Sequence, residues 1–191
     1  MPNYDIWFKT APKQLNAGLT IIKKINNDHI ILMGGNNING TNRYEMLGGT
    51  CESFDKTALH TGIREFVEEL FNLKLDALKV DKLVEQLIVH DHIMHDMTIT
   101  SATSVSYFVS FKTLELIYNF VYHGKYDIVE PLDFAKFMET RNSDTNKANC
   151  IKSDGLCEID FISVVYLSKA HLLPLREFSF NLLHKLKNKL K

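Results

Sequence analysis

The chain has 191 residues, 45% of them hydrophobic and 24% charged, enough apolar mass for a sizeable core and a single domain over 1–191. A net charge of −1 supplies no global field toward nucleic acid or membrane, so any basic surface has to be local. Cys51, Cys150 and Cys157 lack zinc-ligand spacing and their odd number argues against a full disulfide framework. No run approaches the roughly 20 apolar residues that span a bilayer, and Met1–Asp5 lacks a signal-peptide pattern. A soluble, intracellular protein without a membrane partner is expected, in cytoplasm or nucleus.

In chain order, Trp7 and Phe8 lie in a mixed opening segment broken by Pro12. Ala17–Ile25 is β-branched and His29–Met33 returns after Asn26-Asn27-Asp28, which predicts a hairpin. Gly34–Asn42 reads as a Gly/Asn-rich loop, and Tyr44–Leu47 as a short strand leading into Gly48-Gly49. A helix is expected from about Lys56 to Phe71, with Asn72 as a left-handed stop. Val80–Ile93 reads as a strand, and Met97–Phe111 as a long or broken one. A helical insertion over about 113–140 comprises Thr113–Tyr122 and Pro131–Thr140. Arg141–Gly155 is a polar loop, Glu158–Tyr166 a last strand, and about 172–191 a lysine-ended amphipathic helix. Interleaved strands and helices predict an α/β (α+β) sandwich around a mixed sheet.

The chemistry concentrates on the predicted helix after Gly48-Gly49. Glu65, Glu68 and Glu69 fall at i, i+3 and i+4 and share one face, with Leu59, Ile63, Phe66, Val67 and Leu70 opposite. Like charges at this spacing repel by about 0.2–0.5 kcal/mol per pair. A hard divalent cation such as Mg²⁺ relieves that repulsion and brings substrate phosphates with it.

Gly49 followed by Arg64-Glu65-Phe66-Val67-Glu68-Glu69 resembles the Nudix box, G-x5-E-x7-R-E-U-x-E-E-x-G-U, and the resemblance covers roughly residues 17–175. It implies a Nudix-type α/β/α sandwich with the loop and helix packed on the sheet, and Mg²⁺- or Mn²⁺-dependent hydrolysis of a nucleoside diphosphate linked to another group. Carried over by position, Glu65 and Glu69 are the main metal ligands, Glu68 assists, and Arg64 orients a carboxylate. Gly48 and Gly49 allow close approach to the ligand. The box also departs from the pattern: Asp55 replaces its first glutamate, eight residues separate Asp55 from Arg64, and Phe71 takes the closing glycine's place. The role of Asp55 is thereby open, with Glu52 the competing carboxylate. Glu158 is the expected later base or metal ligand, ahead of Asp160.

The Arg-Glu-Phe-x-Glu-Glu form and the extra residue look like the Nudix decapping enzymes of large DNA viruses (baculovirus, poxvirus and asfarvirus). That implies a capped mRNA substrate, releasing 7-methyl-GDP and 5′-monophosphate RNA. Tyr4, Trp7 and Phe8 are stacking candidates for a methylated guanine, against the plainer role of pinning the terminus to the core. Lys185, Lys187, Lys189 and Lys191 offer a local basic track, although they also complement a helix dipole. His90, His92 and His95 with Asp91 and Asp96 match no zinc pattern. The alternatives are an ADP-ribose or other nucleoside-diphosphate pyrophosphatase, and a catalytically silent Nudix fold that binds nucleotides or a partner.

Overall fold

The computed structural model of the chain describes residues 15–90, 98–101, 103–143 and 159–191. Its elements are β1 (Asn16–Ile25), β2 (Asp28–Ile38), β3 (Thr41–Glu45), β4 (Gly49–Thr50), α1 (Ala58–Phe71), α2 (Ala77–Val89), β5 (Ile99–Thr100), β6 (Ser104–Val109), α3 (Phe111–His123), α4 (Phe134–Ser143), β7 (Phe161–Tyr166) and α5 (Glu177–Lys189). The sheet is mixed. β1 runs parallel to β6 over Asn16–Val109 pairings and antiparallel to β2 and β4, while β7 and β3 both pair antiparallel with β2.

Strand alternation explains the layers. Ala17, Leu19 and Ile21 of β1 point to one face, where they join α1, α2 and α3 in one core. Ile22, Ile31, Met33 and Phe108 point to the other, where Leu182, Leu183 and Leu186 of α5 cover them. The expected helix–sheet–helix sandwich with a mixed sheet is therefore present. Among the described residues no helix is long and apolar enough to cross a membrane.

Several expected elements are corrected. Of the strand expected over Val80–Ile93, Val80–Val89 belongs to the helix α2, because Val80, Leu83, Val84 and Leu87 follow the 3.6-residue period and Asp76 caps it by accepting from the Lys79 N–H. The Gly34–Asn42 loop is mostly strand: β2 continues through Ile38, with Gly34 and Gly35 paired to β3 on one side and β7 on the other. The turn is confined to Asn39 and Gly40, both at positive φ. The strand expected over Met97–Phe111 takes its broken form, as β5 and β6, and only Phe111 departs from it, opening α3 behind the cap Ser110. Arg141–Ser143 is no loop but the last turn of α4, with Arg141 buried. Of the helix expected over about 172–191, Leu172 closes a 3₁₀ turn (Ala170–Leu172) and α5 starts only at Glu177.

Candidate active site

Gly48 sits at φ +147°, which favours glycine, and a Cβ there would lie 2.5 Å from the Gly18 Cα. Two backbones thus touch directly, and the loop after β3 is pressed onto β1. The Gly48 N–H donates to Oε2 of Glu69 at 2.7 Å. Gly49 needs its missing side chain for a different reason: a Cβ would fall 2.4 Å from the Glu65 carboxyl carbon. The loop and α1 meet at these two glycines and two glutamates.

α1 begins at the cap Thr57, whose hydroxyl accepts from the His60 N–H, and ends at Asn72 with φ 54°. Leu59, Ile63, Phe66, Val67 and Leu70 are fully buried, which fixes the rotation of the helix and turns Glu65, Glu68 and Glu69 toward the loop. Glu65 and Glu69 are themselves buried, and the Glu68 side chain is 28% exposed.

Arg64 is the centre of the arrangement. Its side chain is 1% exposed. Nη2 donates to Oδ2 of Asp55 at 2.9 Å and to the Thr50 carbonyl at 2.9 Å, and Nε donates to both Asp55 oxygens. Nη1 lies 2.8 Å from Glu65 Oε1 and 3.5 Å from Glu52 Oε1, and donates to Glu68 Oε2 at 3.3 Å. Phe54 covers the guanidinium at 5.6 Å from its ring centroid. Burial works against the charge, but Asp55, Glu65 and Glu68 more than offset it and raise the Arg64 pKa.

The choice between Asp55 and Glu52 is decided by burial. Asp55 is buried and also accepts from the Thr61 hydroxyl at 2.9 Å and the Glu52 N–H at 3.0 Å. It is the most buried of the four carboxylates paired with Arg64, whereas Glu52 is half exposed at the edge. The shorter aspartate reaches because the loop returns to the helix start, where Thr61 shares the same carboxylate.

Glu68 differs from its neighbours. Its Oε2 faces Arg64, while its Oε1 is buried with no hydrogen-bond partner. Burial pushes its pKa above the ordinary carboxylate range, against the pull of Arg64 and Lys74. Among the described residues no three acidic, histidine or cysteine side chains converge on one point as a preformed metal cage. The donor chemistry nonetheless suits a hard divalent cation: oxygen ligands on one face, more acids than the buried arginine can neutralise, and one carboxylate oxygen left unsatisfied.

A cavity of about 160 Å³ opens on the α5 side of Gly48 and Gly49. Its sheet wall carries Gly18, Thr20, Ser104 and Ser106, and Phe178, 49% exposed, stands on the helix wall. Arg176, also at this wall, pairs with Glu45 at 2.7 Å.

Among solved structures, the chain is similar to a bacterial protein. A mutT/nudix family protein from Listeria innocua superposes with a TM-score of 0.42 at 15% identity, covering 95% of this chain and 93% of that one. No family model matches the chain, and no curated protein matches it significantly.

Trp7, Phe8 and Tyr4, the acidic Glu158, and His92, His95, Asp91 and Asp96 lie outside the described residues. Asp160 accepts from the Asn37 N–H at 2.8 Å and so fastens β2 to the approach of β7. His90 ends α2 and stacks on Tyr126 at 5.5 Å. Phe178 and Arg141 have no role at the site that the sequence alone suggests. Phe178 carries no local signal beyond an exposed aromatic on a helix. Arg141 hydrogen-bonds backbone carbonyls up to 72 positions away, which no local pattern encodes.

Proposed function

We propose that this chain is a Nudix-type hydrolase that cleaves the diphosphate of a nucleoside diphosphate linked to a second group. Mg²⁺ or Mn²⁺ would be held by Glu65, Glu68 and Glu69. The observation that carries this reading is the buried Arg64 ringed by Glu52, Asp55, Glu65 and Glu68. A solvated acidic helix face requires no buried guanidinium beneath it. Burying ionised groups costs several kcal/mol each unless they are compensated, and one arginine among four carboxylates leaves negative charge for a cation to balance.

When bound, the metal neutralises diphosphate oxygens and lowers the pKa of a coordinated water. The chain's own groups supply position. Arg64 holds Glu65 and Glu68 at fixed orientation, and the Gly48 N–H fixes Glu69. Gly49 leaves room for the Glu65 carboxylate and lets backbone approach the ligand. Glu68, with Oε2 held by Arg64 and Oε1 unsatisfied, completes the carboxylate set that would hold the metal. The cavity beside Gly48 seats the nucleoside, with Phe178 as an aromatic face for its base. Within this class we place the capped 5′ end of mRNA first, on the viral decapping resemblance, with ADP-ribose as the alternative.

A panel of capped RNA, free cap analogue, ADP-ribose, NADH and dinucleoside polyphosphates at matched concentrations tests both levels. Release of 7-methyl-GDP from capped RNA in Mg²⁺ or Mn²⁺ is expected. Glu69→Gln should lower the rate about 10²–10³-fold while the fold is kept, since metal-linked charge stabilisation is worth several kcal/mol. Faster turnover of ADP-ribose removes the cap assignment. No turnover of any diphosphate at high enzyme and metal removes the hydrolase and leaves a binding module.

A further inference from the structure

Arg141 is a buried cation, 8% exposed, that the chemistry above does not use. It stands in the last turn of α4, yet its guanidinium reaches across to the end of α1. Nη2 donates to the Glu69 carbonyl at 2.9 Å and Nε to the Leu70 carbonyl at 3.2 Å. Nη2 also donates to the Ile159 carbonyl at 3.3 Å. The last carbonyls of a helix have no intrahelical donors and carry the negative end of its dipole. A buried guanidinium is suited to that place because its planar fork serves several carbonyls at once.

The consequence falls on Glu69. Its carboxylate is held by the Gly48 N–H and its carbonyl by Arg141, so the residue is fixed at both ends. Glu68 shares the same turn. Next to Arg141, Asn142 accepts from the Ile162 N–H and donates to the Ile162 carbonyl, both at 2.9 Å. The end of α4 is thereby stapled to β7, and Arg141 is anchored to the sheet while it grips α1. We infer that Arg141 is a positioning residue, setting the last turn of α1 and with it the spacing of Glu68 and Glu69 as metal-binding carboxylates.

This inference rests on the hydrolase reading, and Mn²⁺ binding to the full chain without substrate separates the two. Titration calorimetry and the electron paramagnetic resonance of free Mn²⁺ read the affinity, and circular dichroism reads the Tm. Arg141→Lys keeps the charge, but one ammonium cannot span three carbonyls. It should leave the Tm near wild type and weaken Mn²⁺ binding about tenfold, the lower end of what residues supporting metal ligands contribute. Arg141→Met should weaken binding at least as much and lower the Tm. Asn142→Ala removes the staple to Ile162 but keeps the guanidinium, and should lower the Tm while weakening Mn²⁺ binding by less than Arg141→Lys does.

Wild-type affinity in a folded Arg141→Lys protein overturns the inference, as does equal weakening by Asn142→Ala. Failure of both Arg141 variants to fold assigns Arg141 a purely structural role and overturns it too. A wild-type chain that binds no Mn²⁺ overturns the hydrolase reading itself.

Discussion

α1 and α2 are neighbours of nearly equal length, 14 and 13 residues, and they solve burial in opposite ways. Only Val80, Leu83, Val84 and Leu87 of α2 are buried, one apolar stripe that any amphipathic helix supplies. In α1, 13 of the 14 residues are buried, and they include His60, Thr61, Arg64, Glu65 and Glu69. A helix enclosed on every side is expected to be apolar on every side. Because α1 is not, its polar groups have to find partners: the loop at Gly48–Asp55 serves Thr61, Arg64 and Glu69, and Thr57 and Asp81 serve His60. The comparison teaches that burial of a polar face, more than acidity, separates the helix proposed to hold the metal from the one that packs beside it.

The sharpest way to break the contrast is Arg64→Met. It leaves Asp55 buried without its cation, and loss of one partner of a buried pair costs about 3–5 kcal/mol. Urea unfolding should report that loss, together with abolished hydrolysis. Leu83→Ala on α2 should cost about 2–4 kcal/mol through the cavity it leaves. Its kcat at a permissive temperature should match wild type, because α2 lends packing and no chemistry.

A third prediction concerns the contact that joins the two helices. His60 on α1 lies between the Thr57 hydroxyl, 2.7 Å from Nδ1, and Asp81 on α2, 3.2 Å from Nε2, and Asp81 also pairs with Lys56. Burial lowers the His60 pKa below its ordinary 6.5, with Asp81 pulling the other way. Neutral imidazole is therefore the form the fold prefers. Its contribution is whole above about pH 6.5 and is lost as pH falls from there through the lowered folded value. His60→Gln should flatten the Tm-against-pH curve across that window. The smallest effect is expected from Glu68→Gln in metal-free protein. Removing a desolvated charge whose Oε1 lacks a partner should raise the Tm by about 1–3 °C, while Mn²⁺ binding weakens.

The same contrast explains what the sequence disclosed. The α1 stripe and its glutamates are local features, so the helix, its Asn72 stop and its acidic face were legible from spacing. The mixed sandwich was legible from alternation of strand and helix patterns. α2 was misread because Leu87-Ile88-Val89 looks β-rich, although the period from Val80 to Leu87 is helical. Gly34 and Gly35 looked like a loop because glycine is a turn residue. Their strand state comes from partners on both edges, which lie as far away as Phe161 and Ile162. Asp55 was undecided on spacing alone, since only the return of the loop onto Thr61 places it against Arg64. Arg141 reads as the start of a polar loop because its acceptors are backbone carbonyls, and carbonyls leave no trace in residue identity.

The contact of Gly48 with Gly18 sets a tolerance for the whole site. Most side chains in a core are located through rotamers of their neighbours, so small repacking errors accumulate from one layer to the next. Here the donor that locates the Glu69 carboxylate rides on a main chain resting against another main chain, with no rotamer in between. Errors elsewhere in the core have no route through that junction. The glutamate is referenced to the backbone of β1 as a machined part is referenced to a datum face. A single methyl added at Gly18, 2.3 Å from the Leu47 carbonyl oxygen, would shift that datum and every distance measured from it.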